Sequence, residues 1–199
     1  MRRINEIFYS LQGEGKHTGV PSIFVRFSGC NLNCSFCDTD HAEGKEMTDE
    51  EIVAEVNKYP GKWVILTGGE PSLWIDEGFI RFLKQSTGKM VAVETNGSRK
   101  LPEGVDWVTV SPKSGFDGAG QYEILIEHAN ELKVIDLGQP LHPYLSLKCV
   151  KKDTYLCLQP CHVENTSDNT LNLRRTIHRV LNDPRWNLSA QMHRYLHIP

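Results

Sequence analysis

Three cysteines lie close together in the first quarter of a chain of 199 residues. Cys30, Cys34 and Cys37 stand in the run GCNLNCSFC, with three residues between the first pair and two between the second. Thiolates suit iron–sulfur clusters and zinc. A four-iron cluster held by three cysteines leaves one iron open to a substrate or cofactor, whereas an electron carrier usually has four protein ligands. The spacing therefore predicts a catalytic 4Fe-4S cluster on these three residues.

Two other interpretations of the cysteine triplet stay open on spacing alone. A structural zinc ion takes four ligands, and His41 or a distant cysteine would have to supply the fourth. The three thiols could instead be buried and inert, as free cysteine often is. Asn31, Asn33 and Ser35 make the segment polar, which is unlike a core. This composition disfavours the inert interpretation and leaves zinc as the alternative.

A second group of cysteines, Cys149, Cys157 and Cys161, is predicted to be structural. Cys157 lies in an apolar run, where a free cysteine is commonly buried and unreactive. An auxiliary cluster on these three residues is the alternative. The eight histidines are scattered mostly through the C-terminal half of the chain, and we assign no role to them.

The elements that must hold the triplet in place begin with short apolar runs. These runs predict six strands, at residues 22–27, 63–67, 90–94, 107–111, 131–135 and 155–159. Helical patterns lie between several of them, and strands that alternate with helices form a parallel sheet. Six strands are too few to close an eight-stranded barrel. We therefore expect an α/β fold, a partial and open (β/α)6-type barrel, abbreviated at residues 100–121, in one domain spanning residues 1–199.

The sequence predicts three helices, and the second, which follows residues 68–71, places Ile75, Phe79, Phe82 and Leu83 inward. Thr48 and Glu51 have the spacing of a capping box at the start of the first helix. A later helix covers residues 169–181 and places four apolar side chains on one face: Leu173, Ile177, Val180 and Leu181. A last strand and a short turn are expected within residues 187–199.

Polar and glycine-rich segments come directly after the predicted strands. They are residues 68–71 (GGEP), 95–97 (TNG) and 111–113 (SPK), as well as the first cysteine of the triplet. In α/β folds the chemistry lies at the carboxyl ends of the parallel strands. The sequence therefore predicts that these segments and the triplet share one site.

Charge and hydropathy exclude several classes of partner. The formal net charge of -3 gives no reason to expect a nucleic acid or an anionic membrane. No apolar run approaches the ~20 residues that a membrane span needs. Arg2 and Arg3 open the chain without the apolar stretch of a signal peptide. We expect a cytoplasmic protein, with reduced thiols available for metal binding or catalysis.

The triplet and a second motif together resemble the radical S-adenosylmethionine (SAM) superfamily. The cysteine loop follows a predicted strand, and the aromatic Phe36 precedes the last cysteine. Residues 67–71 (TGGEP) are similar to the motif that binds the methionine end of SAM. The resemblance implies a 4Fe-4S cluster, SAM as cofactor, and contacts from Gly68, Gly69 and Glu70 to the methionine amino group.

Further segments narrow the resemblance to the 7-carboxy-7-deazaguanine synthases, and they cover nearly the whole chain. They are residues 10–15 (SLQGEG), 24–27 (FVRF), 37–39 (CDT), 94–97 (ETNG), 111–113 (SPK), 158–160 (LQP) and 197–199 (HIP). The resemblance implies a lyase of queuosine biosynthesis. Its expected reaction contracts the ring of 6-carboxy-5,6,7,8-tetrahydropterin to 7-carboxy-7-deazaguanine with loss of ammonia.

The resemblance also implies a role for individual residues. The pterin would be held by Leu11, Gln12, Gly13, Arg26, Thr95 and Pro199. The SAM site would be lined by Phe36, Cys37, Asp38, Gly97, Ser111, Lys113 and Gln159. Thr39 would bind Mg2+ through its hydroxyl, since magnesium prefers oxygen ligands. The expected partners are the pterin, an electron donor such as flavodoxin, and a second copy of the chain in a homodimer.

Each of these roles has an ordinary structural alternative. Arg26 could be an ion-pair partner inside its strand, although a guanidinium also pairs well with a substrate carboxylate. Thr39 and Thr95 could be turn or cap residues, Lys113 could be solvated, and Pro199 could be a frayed end. For the whole protein, the alternatives are another small radical SAM enzyme, such as a glycyl-radical activase, and a non-enzymatic metal-binding module.

Overall fold

A computed structural model describes residues 1–37, 39, 42–163 and 166–199. The strands in this part are β1 (Arg2–Leu11), β2 (Pro21–Phe27), β3 (Lys45–Met47), β4 (Trp63–Gly68), β5 (Met90–Thr95), β6 (Trp107–Val110), β7 (Glu131–Asp136), β8 (Tyr155–Pro160) and β9 (Asn187–Leu188). The helices are α1 (Asp49–Val56), α2 (Glu77–Thr87), α3 (His142–Leu145), α4 (Thr166–Asn182) and α5 (Met192–Leu196). Short 3-10 turns occupy Gly15–His17 and Pro71–Leu73.

These strands form one open sheet in the order β3-β1-β2-β4-β5-β6-β7-β8-β9. From β2 to β9 all neighbours are parallel. The six strands predicted from the sequence are β2 and β4 to β8, and the expected open α/β architecture is confirmed. No helix separates β5 from β6 or β6 from β7, where every residue is described. The predicted abbreviation of the scaffold is therefore correct.

Strand β1 is absent from the sequence prediction because charged residues interrupt its apolar pattern. It pairs antiparallel with β2, and β3 pairs antiparallel with β1. Arg2 is nevertheless buried in it, because its guanidinium bonds Asp49 at 2.7 Å and Asp76 at 3.0 Å. These carboxylates stand at the starts of α1 and α2, so Arg2 joins the strand to two helix ends.

Helix α1 begins as the sequence predicts. The Thr48 hydroxyl accepts from the Glu51 amide at 3.2 Å, and the Glu51 carboxylate accepts from the Thr48 amide at 2.8 Å. Both halves of the capping box are therefore present. The helix buries Ile52 and Val56 in the core that packs against β2 and β4.

The predicted helix over residues 169–181 is present as part of α4, but its apolar face is only partly covered. Ile177 is 37% exposed and Leu181 is 78% exposed, whereas Thr176 is fully buried. The reason is a buried carboxylate at the end of β7. Thr176 donates to Asp136 at 2.8 Å and Arg179 forms an ion pair with the same side chain, so the helix turns polar residues inward. A buried charge needs such partners.

Three groups of buried side chains hold the sheet. One lies between the first parallel strands and helices α1 and α2, and a second joins the later strands to Trp186. A smaller apolar group, Phe24, Ile65 and Ala92, packs with Phe8 and the two tryptophans that begin β4 and β6. None of the helices among the described residues has the length and apolar composition needed to cross a bilayer.

Candidate functional site

A cavity of about 530 Å³ is bordered by residues at the carboxyl ends of the parallel strands. Sixteen of the residues predicted for the site line it: Leu11, Gln12, Gly13, Arg26, Cys30, Cys34, Phe36, Cys37, Thr39, Gly68, Gly69, Thr95, Ser111, Lys113, Gln159 and Pro199. Glu70 and Gly97 are not among the lining residues. Asp38 lies outside the described residues. The structure thus brings together segments that are almost the full chain length apart.

The three cysteines of the triplet present free thiols to this cavity. The Leu32 amide donates to Cys30 Sγ at 3.4 Å, and the Cys37 amide donates to the Cys34 carbonyl at 3.1 Å, which turns the loop. Burial raises the pKa of the Cys30 and Cys34 thiols; Glu70 adds to the effect at Cys30, while Lys113 opposes it at Cys34. Metal binding deprotonates such thiols. Three thiols and an adjoining cavity fit a cluster with one open iron.

The end of β4 is joined directly to the start of the cysteine loop. The Gly69 amide donates to the Phe27 carbonyl at 3.0 Å, and the Glu70 amide donates to the Gly29 carbonyl at 2.9 Å. A Cβ on Gly69 would lie 2.0 Å from the Gly29 carbonyl oxygen, so only glycine permits this approach. The GGEP segment is therefore held against the segment that carries Cys30.

The carboxylate of Glu70 is fully buried and bonded to protein groups. It accepts from the Ser72 amide at 3.0 Å, the Thr95 hydroxyl at 2.7 Å and the Asn96 amide at 2.8 Å. This arrangement ties the end of β5 to the end of β4. A contact between this carboxylate and the methionine amino group stays a prediction, because the side chain does not border the cavity.

The position of Arg26 is compatible with both roles that the sequence left open, a structural ion pair and a contact with a substrate. Its Nε donates to the Glu6 carboxylate at 2.7 Å, so the expected structural ion pair is present. Its side chain also lines the cavity, with the guanidinium 5.7 Å from the centre of the Phe8 ring. Among the described residues, Glu6 is the only hydrogen-bond partner of this guanidinium. It can therefore meet an anion in the cavity through its other N–H groups.

A network of buried polar side chains lines another part of the cavity. Lys133 is 4% exposed and pairs with Glu94 at 2.9 Å and with Glu14. Gln12 donates to Glu94 at 2.8 Å, and Gln159 donates to Glu14 at 3.2 Å. Burial opposes the charge on Lys133, but the carboxylates outweigh it and raise the pKa of the amine well above its ordinary value. The lysine is therefore a fixed cation between two carboxylates.

The C-terminal segment closes one side of the cavity. The Met192 amide donates to the Gly13 carbonyl at 2.9 Å, and Ser10 donates to the Pro199 carbonyl at 2.9 Å. A Cβ on Gly13 would lie 2.2 Å from a ring nitrogen of His193, so the two segments are in close contact. Residues from the first and last parts of the chain thus form a common wall.

The radical SAM superfamily matches residues 24–138 of the chain. A 7-carboxy-7-deazaguanine synthase of Bacteroides thetaiotaomicron is 52% identical over 100% of this chain and 99% of its own length. The synthase of Haemophilus influenzae is 37% identical over 98% of this chain and 93% of its own. The chain belongs to the 7-carboxy-7-deazaguanine synthase family of radical SAM enzymes.

The fold of this synthase family member agrees with a solved structure. The crystal structure of QueE from Escherichia coli superposes with a TM-score of 0.76, at 31% identity, covering 96% of this chain and 94% of that one. Membership of the superfamily implies a 4Fe-4S cluster and SAM. Neither the glycyl-radical activase nor the non-enzymatic metal-binding module is supported by these matches.

Several lining residues of the synthase were not found by sequence reasoning. Glu14 and Glu94 lie in segments used for the resemblance, and Lys133 lies in the predicted strand 131–135. The signal for Lys133 was a cation in the middle of an apolar strand, where a charge needs partners. The second cysteine group is buried as expected, although Cys161 also borders the cavity. Burial raises the pKa of Cys149 and Cys157, in keeping with unreactive thiols.

Proposed function

We propose that this enzyme converts 6-carboxy-5,6,7,8-tetrahydropterin to 7-carboxy-7-deazaguanine, with loss of ammonia, in queuosine biosynthesis. The observation that carries the proposal is the 52% identity to a curated 7-carboxy-7-deazaguanine synthase along the full length of both chains. The cavity supports it, because sixteen of the residues expected for cluster, SAM and pterin border one space.

Cys30, Cys34 and Cys37 would hold a 4Fe-4S cluster beside the cavity. When bound, the cluster and SAM supply a one-electron cleavage that yields a primary carbon radical able to remove a hydrogen from the substrate. The chain's own task is to orient the substrate and exclude water. Gly68 and Gly69 border the cavity next to the cysteine loop and would meet the methionine end of SAM.

Other SAM contacts are proposed at the ends of β6 and β8. Lys113 is held by hydrogen bonds from its Nζ to Ser111, at 2.6 Å to the hydroxyl and 3.0 Å to the carbonyl. These two residues and Gln159 border the cavity, as does Phe36. We include Asp38 and Gly97 in the SAM site on the family pattern, and Glu70 as the residue that fixes Thr95 and Asn96.

The substrate would lie between Arg26 and the polar network. Arg26 would pair with the pterin carboxylate, since a guanidinium binds a carboxylate through two parallel hydrogen bonds. The pyrimidine part of a pterin carries both N–H donors and a carbonyl acceptor. Glu14 and Glu94 would accept from such donors, and Lys133 would donate to the carbonyl. A ligand that left one of these charges buried without a hydrogen-bond partner would bind less tightly, because an unpaired buried charge costs free energy.

Leu11, Gln12, Gly13, Thr95 and Pro199 would complete the pterin site. All of them border the cavity, and Gln12 and Thr95 are themselves held by the carboxylates of Glu94 and the fully buried Glu70. The positions of the Gln12 and Thr95 side chains are therefore fixed before substrate binds. Such pre-organisation lowers the entropy lost on binding.

Thr39 borders the cavity and would bind Mg2+ beside the substrate carboxylate. A hydroxyl oxygen is a suitable magnesium ligand, and magnesium keeps most of its waters. We also propose a single domain spanning residues 1–199, an electron donor such as flavodoxin, a homodimer, and a cytoplasmic location. Free thiols at the cavity support the last point, because they need a reducing compartment.

The test is an anaerobic assay on the reconstituted enzyme with the tetrahydropterin, SAM, Mg2+ and a chemical reductant. We expect 7-carboxy-7-deazaguanine and ammonia, detected by mass spectrometry and an ammonia assay. A Cys34→Ala variant should give neither product nor 5′-deoxyadenosine. If the wild-type enzyme cleaves SAM but leaves this pterin unchanged, the superfamily chemistry stands and the substrate is wrong.

A further inference from the structure

A loop at residues 113–122 packs against the segment that carries the three cysteines. We call residues 113–122 the clamp loop and residues 29–37 the cluster loop. The Asn33 amide donates to the Gly118 carbonyl at 3.1 Å, and the Ser35 amide donates to the Asp117 carbonyl at 3.3 Å. These two hydrogen bonds lie on either side of Cys34, so they fix the backbone of the middle thiol.

A third contact lies next to the last cysteine. The rings of Phe36 and Phe116 meet edge to face, with their centres 5.5 Å apart. Such pairs stabilise a particular relative orientation of two segments. Phe36 precedes Cys37 directly, so the clamp loop holds the backbone beside two of the three thiols.

The clamp loop is closed by a hydrogen bond within it and is anchored to residues that border the cavity. The Gly115 amide donates to the Gly120 carbonyl at 2.8 Å, which closes the loop. At its base, the Tyr122 hydroxyl accepts from the Lys113 amide at 2.8 Å and donates to the Asn96 carbonyl at 3.1 Å. Lys113 and Asn96 border the cavity, so the clamp loop joins the cluster loop to the proposed SAM site.

Gly118 is the point of closest approach between the two loops. Its φ is +74°, and a Cβ there would lie 1.8 Å from the Asn33 carbonyl oxygen and 3.3 Å from the Cys34 Cα. No side chain can be placed there unless the loops separate. Gly120 in the same loop has a similar φ of +67°, but a Cβ on it would meet nothing within 4 Å.

We propose that the clamp loop is a positioning device for the iron–sulfur cluster, and that Gly118 is the residue that allows it to engage. By holding the backbone around Cys34 and Cys37, it would fix the thiols that bind the cluster relative to the residues proposed to bind SAM. The inference rests on a cluster at the three cysteines and is independent of the identity of the substrate.

The two glycines supply a matched pair of variants. Gly118→Ala and Gly120→Ala add the same methyl group at nearly the same backbone conformation, but only the first separates the loops. After anaerobic reconstitution, we would measure iron per chain, the rate of cluster loss to a chelator, and the electron paramagnetic resonance spectrum of the reduced cluster with and without SAM. The Michaelis constant for SAM would be measured as well.

For Gly118→Ala we expect cluster loss to be roughly tenfold faster, because changing the groups that orient metal ligands typically weakens metal binding by about 10–100-fold. We also expect a weakened SAM-induced change in the spectrum and a raised Michaelis constant for SAM. Gly120→Ala should match the wild type in all four measurements. If Gly118→Ala gives the same four results as the wild type, the proposal is wrong. It is also wrong if the two variants are impaired equally, because backbone strain at a positive φ would then explain both.

If Gly118→Ala does not fold, the Tyr122→Phe variant tests the proposal instead. It removes only the hydroxyl that anchors the clamp loop to Asn96, and circular dichroism would verify its fold. We expect the same weakened spectral response to SAM, and an unchanged response would refute the clamp. None of these readouts uses the pterin, so a wrong substrate assignment would leave them unaffected.

Discussion

Arg26 has a protein carboxylate on one side and the cavity on the other. Its bond to Glu6 at 2.7 Å involves a partner that is half exposed, and pairs of this kind contribute about 0–1 kcal/mol. The same guanidinium facing a substrate carboxylate in a site without water would contribute much more. The contribution of the ion pair and that of substrate binding can therefore be measured separately, by substituting Arg26 in one variant and Glu6 in another.

Arg26→Ala should weaken pterin binding by about 2–5 kcal/mol, since it leaves the substrate carboxylate without its partner. Slow SAM cleavage without product should continue. Glu6→Gln removes the ion pair and keeps the guanidinium, so it should change pterin affinity by no more than about 1 kcal/mol. Anaerobic titration of both variants measures the difference. Equal weakening by the two substitutions would mean that Arg26 acts only through its ion pair.

Short-range patterns predicted the cysteine loop, GGEP and the residues beside them, because their spacing along the chain carries the information. The polar network could not be predicted in this way. Glu14 and Lys133 are far apart in sequence and meet only because the segment after β1 lies beside strand β7 in the folded chain. The buried state of Glu70 was also missed, since its partners Thr95 and Asn96 lie at and just after the end of the next strand.

At the scale of elements, the six parallel strands β2 and β4 to β8 were predictable because each is a short apolar run with a glycine or proline at or just after its end. Strand β1 was not, since its charged residues find partners only in the tertiary structure. Helix α4 was predictable from its apolar periodicity, but the inward position of Thr176 was not, because it depends on the buried Asp136 at the end of β7. In both cases a buried charge decided the arrangement.

The C-terminal segment gives a prediction at this scale. Deleting residues 197–199 removes the hydrogen bond from Ser10 to the Pro199 carbonyl and opens one wall of the cavity. We expect pterin affinity to fall by about 1 kcal/mol or more, the net contribution of a typical hydrogen bond. Cluster content and the Michaelis constant for SAM should stay unchanged, because the cysteine loop does not contact these residues directly among the bonds described.

Ser10→Ala is the control for the truncation, since it removes the same hydrogen bond and leaves the wall in place. It should weaken pterin binding less than the deletion does. Steady-state kinetics with each substrate varied separately distinguish the two cases. A truncated enzyme with normal pterin kinetics would show that Pro199 is a passive end.

At the scale of the whole molecule, the two ends of the sheet have different tasks. The carboxyl ends of the strands form the site, and the amino ends are closed by aromatic side chains. Trp63 and Trp107 begin β4 and β6, and the His17 ring lies between them, with centres 4.7 Å and 4.5 Å away. His17 follows β1, so this contact joins the antiparallel part of the sheet to two parallel strands.

The burial of the His17 ring between the two tryptophans makes the free energy of unfolding depend on pH. Burial lowers the pKa of His17 below its ordinary value of 6.5, and the neighbouring Lys16 adds to the effect. In the window between the lowered folded pKa and 6.5, the unfolded chain binds a proton that the folded chain does not. The free energy of unfolding therefore falls as pH decreases through this window.

His17→Phe keeps a ring between the two tryptophans and removes the titration. We expect the wild type to lose stability relative to this variant as pH falls below about 6.5, the unperturbed histidine pKa. Above that pH the difference between the two should be constant. Urea unfolding at a series of pH values measures it, and taking the difference cancels the other histidines. If the wild type instead gains stability relative to the variant in acid, the two indole faces favour the imidazolium by a cation–π interaction that exceeds the effect of burial.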